Sequence, residues 1–177
     1  MNRKSKADWF LACAHLISEQ GAKKLTIDAL CKKVEVTKGS FYHHFKGMDD
    51  FISDYLVYFE QEGTLQIIET VERQASPADK LRKLIELSTD YPPQLERGTR
   101  AWAQQDKRVG QVFERVDQQR IAYLFQLWRP LVESDAIAQV RAQTMYAILI
   151  GGEHMHPPLS KQEHREVFNQ YLEVLGL

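Results

Sequence analysis

Two cysteines in 177 residues, Cys13 and Cys31, are too few to staple a fold, so the sequence predicts a chain stabilised by its core in a reducing compartment. Both read as small buried residues rather than redox sensors. No apolar run approaches the roughly 20 residues needed to cross a bilayer. The nearest thing to a secretory signal, Trp9 to Ile17 behind Arg3, Lys4 and Lys6, is spoiled by Asp8 and His15. It reads instead as a helix, with Ser5 as its cap, Asp8 in its first turn and Gly21 at its end. A soluble, cytoplasmic protein with no membrane partner is expected.

Catalytic signatures are equally scarce. There is no glycine-rich phosphate loop, and Ser88, His164 and the scattered carboxylates form no recognisable nucleophile motif, so the chain is not expected to be an enzyme. His154 and His156 stand two residues apart beside prolines with no third ligand in view, and no metal or other cofactor is expected. Sustained period-two alternation is missing as well, which leaves an all-α fold.

What the chain does have is helical periodicity and an uneven charge. Residues 1–46 carry nine Lys/Arg against four Asp/Glu, while the whole chain has a formal charge of -1. A basic N-terminal segment on an acidic body suits a local polyanion-binding module, although ordinary surface drift also produces such asymmetry. The apolar spacing predicts helices over about 6–20, 27–33 and 37–44, then one opening near Met48. A connector at Gln74 to Pro77 precedes a helix that Tyr91-Pro92-Pro93 terminates. Further helices are predicted at about 93–105, 107–131 and 135–152, and a last one behind the capping box Ser160 to Glu163. The segment Met145 to Ile150 is apolar on every side and predicts cover from more than one direction.

Function concentrates in Thr26 to Lys46. Ile27, Leu30, Val34, Val36, Phe41 and Phe45 can meet in one small core, the requirement of a helix-turn-helix, with Thr26 and Thr37 as caps. With Phe41 and Phe45 turned inward, Lys38, Gly39, Tyr42, His43 and Lys46 fall on the other side. That face offers cations and hydroxyls for phosphate and donors for base edges, and Gly39 and the amides at the second helix's start favour close approach of a phosphate. Taken alone, Tyr42, His43 and His44 would be ordinary surface residues; the surrounding spacing argues otherwise.

On Thr26, Val36, Thr37, Gly39, Tyr42, His44, Phe45 and Lys46 the sequence closely resembles the TetR family of transcription regulators. The resemblance implies that Thr26, Lys38, Tyr42 and Lys46 touch phosphates and that Thr37, Ser40 and His43 face bases or backbone. It extends over Glu96 to Leu131, where Arg100-Ala101-Trp102-Ala103-Gln104 and the following helix look like one branch of the family. Glu35 departs from the pattern, standing where a glycine is usual; a positive φ there would strain the turn by about 1 kcal/mol. Cys31 and Val34 replace usual alanines.

The resemblance further implies a DNA-binding domain over 1–46 and a helical effector and dimerisation domain over 47–177, about nine helices in all. Trp102, Phe113, Arg120, Tyr123 and Met145 fall on helices similar to those around the family's effector cavity, yet serve equally well as core, and an ion pair accounts equally well for Arg120. Met145, Ile148, Leu149, Phe168, Tyr171, Leu172 and Leu175 fall on helices similar to the family's dimer interface. The expected partners are operator DNA, a second copy of the chain and a small-molecule effector, with repression relieved by ligand. An effector-independent DNA-binding protein and a helical protein-interaction module are the competing readings; the latter would tolerate Tyr42→Ala and Lys46→Ala.

Overall fold

The computed structural model describes residues 4–177, so Arg3 and the first residues of the 1–46 segment lie outside the description. Among the described residues all regular structure is helical. The order is α1 Lys6–Gln20, α2 Ile27–Val34, α3 Lys38–His44, α4 Met48–Glu60, α5 Gln66–Glu72, α6 Pro77–Asp90, α7 Pro93–Ala103, α8 Lys107–Trp128, α9 Asp135–His154 and α10 Lys161–Val174. A π turn at Gln61–Leu65 joins α4 to α5 without leaving the helical backbone region, so 48–72 runs as one interrupted helix and the described residues hold nine.

The boundaries have local causes. Ser5 accepts the Asp8 amide while the Asp8 carboxylate accepts the Ser5 amide at 2.7 Å, closing a capping box that also holds the Asp8 carboxyl below its ordinary range. Ser160 and Glu163 repeat the device at α10, with the same effect on Glu163. Ser76 caps α6 ahead of Pro77. Asp106 accepts the amides of Arg108 and Val109 and so satisfies the start of α8. At the far end Pro130 removes a backbone donor, and Arg129–Leu131 tightens into a 3-10 turn where the spacing predicted continued α-helix.

The chain divides into two compact units, residues 1–61 with 92–114 and residues 62–91 with 115–177. The first unit is built on aromatic rings: Trp9, Phe41, Phe45, Phe51, Tyr55 and Phe59 are at most 1% exposed. Its first helix is buried on a wide flank, with Trp9, Phe10, Ala12, Cys13, Ala14, Leu16 and Ile17 all inside. The reason is α7, which crosses α1 with Gly98 against the Ala14 carbonyl. This unit also contains α4 and α7. Within it the nearly buried Glu96 pairs with Arg100 at 2.9 Å, and the Arg100 guanidinium lies 4.3 Å from the centre of the Phe113 ring.

The second unit packs Val71, Leu81, Ile85, Leu124, Trp128, Ala142, Met145 and Phe168 into a largely aliphatic core. Met145 and Tyr146 are buried there, but Ala147 is exposed and Ile148 to Ile150 are half-buried. Within this chain the 145–150 segment is thus only partly covered. No helix among the described residues is long and apolar enough to cross a membrane.

Candidate nucleic-acid interface

The short helices α2 and α3 are held by what they bury. Leu30, Cys31 and Val34 of α2 and Phe41 of α3 turn inward, with Phe45 just beyond. Trp9 of α1 meets Phe41 edge-on at 5.5 Å and Phe45 at 6.2 Å, and Phe41 and Phe45 stand 5.2 Å apart. Aromatic pairs in such tilted geometry add about 0.5–1.5 kcal/mol beyond their area burial. Ile27 and Val36 are only half-buried and contribute the edge of this core.

The turn between the helices is set by Glu35, which adopts φ 61°, ψ 47°. The Val36 amide reaches back to the Cys31 carbonyl at 3.0 Å, closing the end of α2 as a left-handed cap does. A residue with a Cβ is strained in this region. Glu35→Gly is accordingly expected to raise the unfolding free energy by about 0.5–1 kcal/mol, measured by urea denaturation. A neutral or destabilising result would show that the turn holds Glu35 without strain.

The outward face carries Thr26, Thr37, Lys38, Gly39, Tyr42, His43 and Lys46, all exposed, with Ser40 and His44 half-buried. Tyr42 is 56% exposed, so the ring at the centre of the face is held out of the core that Phe41 enters. Thr26 caps α2, its hydroxyl accepting the Ala29 amide at 3.1 Å. Thr37 occupies the corresponding position of α3 but makes no side-chain capping bond, a correction to its expected role; its carbonyl accepts the Ser40 amide instead. A Cβ on Gly39 would meet only the Thr37 hydroxyl, at an ordinary 3.6 Å, so packing inside the unit does not require glycine there. His44 lies against Trp9, ring centres 6.4 Å apart. The Lys38 ammonium contacts the Asp28 carboxylate of α2 at 2.7 Å, which holds the lysine's pKa above its ordinary value.

Residues 11–55, spanning most of α1 and all of the helix-turn-helix, match the sequence pattern of bacterial regulatory proteins of the tetR family. The N-terminal segment belongs to the tetR family. Across its length the chain has the fold of transcriptional regulators of this family. A TerR/AcrR-family regulator from Aquifex aeolicus matches at a TM-score of 0.76 and 12% identity, over 96% of this chain and 98% of that one. A transcriptional regulator from Rhodococcus matches at 0.72 and 14%, over 97% and 95%. A TetR-like regulator from the same genus matches at 0.68 and 14%, over 92% and 90%. No curated protein matches the chain in sequence. The cation- and hydroxyl-bearing face of α3 lies within the matched segment.

The residues suggested for an effector cavity lie in different units. Trp102 and Phe113 are buried in the first, beside Tyr55 at 6.0 Å and Phe59 at 5.2 Å between ring centres. Arg120, Tyr123 and Met145 belong to the second. There Arg120 donates to the Thr64 hydroxyl at 2.9 Å and the Gly63 carbonyl at 3.1 Å, supplying donors to the π turn, whose widened geometry displaces the usual ladder. Tyr146 completes the group by donating to Asp117 at 2.6 Å. Tyr123 donates to Glu72 at 2.7 Å; burial and that carboxylate push its phenol pKa up, while Lys80 and Tyr123 draw the Glu72 carboxyl down. Nothing in the sequence signals a π turn, so the Arg120 cluster was legible only as one charged residue in an apolar row.

Of the residues suggested for a dimer interface, Met145, Phe168 and Leu172 are buried in the second unit's own core, whereas Ile148, Leu149, Tyr171 and Leu175 are half-buried. The exposed large apolar side chains on α9 and α10 are Ile137, Val140, Val167 and Val174, from 39% to 76% exposed. Helical periodicity locates an apolar stripe but does not say which flank a chain keeps for itself.

Proposed function

We propose that the protein is a DNA-binding transcription regulator that binds a palindromic operator as a homodimer and acts as a repressor, released by a small-molecule effector. The observation that carries the reading is the two-sided character of α3: Phe41 fully buried, Tyr42 more than half exposed, with Lys38, His43 and Lys46 on the same outer side, in a segment that matches the tetR family. Residues 1–46 supply the DNA contacts. Lys38, Lys46, Thr26 and Tyr42 grip phosphates and so fix register, while Thr37, Ser40, His43 and the approach at Gly39 meet bases or neighbouring backbone; His44 braces the helix from behind.

Residues from 47 onward form the effector and dimerisation part. Two heads about 34–36 Å apart would read successive major grooves, and a second copy seated on α9 and α10 supplies that symmetry while covering Ile137, Val140, Val167 and Val174. An effector that favours one spacing of the heads shifts the equilibrium between binding and release. Such a protein works in the cytoplasm, where its DNA is.

Mobility-shift titration against DNA flanking its own gene, in rising salt, tests the reading. Lys46→Ala is expected to weaken binding about 5- to 10-fold and to make the dependence of log K on log salt shallower by roughly 0.9 per protomer. Binding indifferent to both salt and Lys46 would remove the DNA-binding function.

A further inference from the structure

The ion pair between Lys38 and Asp28 has no evident structural duty. Both side chains are well exposed, 60% and 74%, and pairs of that kind contribute little to folding. Its position gives it another consequence. Lys38 is the first residue of α3 and Asp28 lies in the first turn of α2, on the surface that also carries Thr26 and Tyr42. In the DNA-binding reading on which this rests, Lys38 is a phosphate ligand, yet without DNA its ammonium is already held by a carboxylate at 2.7 Å.

We infer that Asp28 is an internal competitor for phosphate, a positioning residue that holds Lys38 in place and weakens the sequence-independent part of DNA binding. A phosphate oxygen that takes the ammonium must either displace the carboxylate or share the lysine with it. In both cases a second negative charge is left close to the DNA backbone, and like charges a few ångströms apart disfavour each other even in water. The ion balance follows. Lys38 reaching a phosphate releases a cation condensed on the duplex, but the carboxylate it leaves beside the backbone draws cations back, so the net release is smaller than for the lysine alone. A face carrying both residues therefore holds the duplex less tightly than its lysines alone would, and leaves more of the discrimination to contacts with base edges.

The test uses the full chain and a random-sequence 30-base-pair duplex, with binding followed by fluorescence anisotropy at several salt concentrations between about 50 and 200 mM. Asp28→Asn keeps the shape of the side chain and removes its charge. It is expected to tighten binding about fivefold at the lowest salt and to steepen the salt dependence, by at most roughly 0.9 per bound protomer. In a Lys38→Gln background the same substitution should leave the slope unchanged, since no lysine remains for the carboxylate to hold. Unaltered affinity and slope for Asp28→Asn would overturn the inference, as would an equal gain with and without Lys38, which would make Asp28 a general surface charge. Loss of salt-dependent binding in the unsubstituted protein would instead strike the DNA-binding reading itself, so the two failures are distinguishable.

Discussion

Phe41→Ala is expected to lower the unfolding free energy by about 3–5 kcal/mol. Phe41 is fully buried, with the rings of Trp9, Phe45 and Phe51 at 5.5, 5.2 and 5.8 Å from its own. Rings that lean on one another at such angles cannot collapse into the space without giving up their own contacts, so most of the cavity would persist. Because α3 has only seven residues, it has little helical stability apart from this packing. Urea denaturation would measure the loss, and Phe41→Leu should recover a large part of it by refilling volume. A deficit below about 1 kcal/mol for Phe41→Ala would mean that α3 is held by something other than its buried rings.

The second large effect is expected at Gly98. A Cβ built there would stand 2.9 Å from the Ala14 carbonyl oxygen and 3.6 Å from the Ser18 amide nitrogen, both backbone atoms of α1 that have no rotamer to change. Gly98→Val must push the two helices apart and is expected to destabilise the protein by about 2–3 kcal/mol. Gly98→Ala sets the same clash against the better helix propensity of alanine, about 1 kcal/mol, and should therefore be markedly milder. Thermal unfolding of the two variants in parallel decides it. A valine variant as stable as the starting protein would show that the crossing has slack.

Much of the fold was legible where a residue acts on its own neighbours. Ser5 with Asp8, Ser76 ahead of Pro77 and Ser160 with Glu163 mark helix starts through bonds three residues long, and the prolines at 92 and 93 mark a stop through their own geometry. The outward face of α3 was legible for the same reason, since Phe41 and Phe45 fix the rotation of a short helix. Features that depend on distant segments were not. The second buried flank of α1 exists because α7, some eighty residues later, lies across it. Thr37 shows the limit even locally, because a residue type suited to capping need not turn its hydroxyl to the helix.

The contact between the first helix and α7 has a practical side for anyone wishing to transplant α1 to α3. Helices α1 to α3 are contiguous in sequence but do not constitute a portable cassette, since an excised peptide ending near residue 46 would leave bare the flank of α1 that Gly98 and its neighbours shield. A chimera meant to carry the outer face of α3 onto another body would have to take α4 and α7 along, or supply a substitute helix with an equally slender waist.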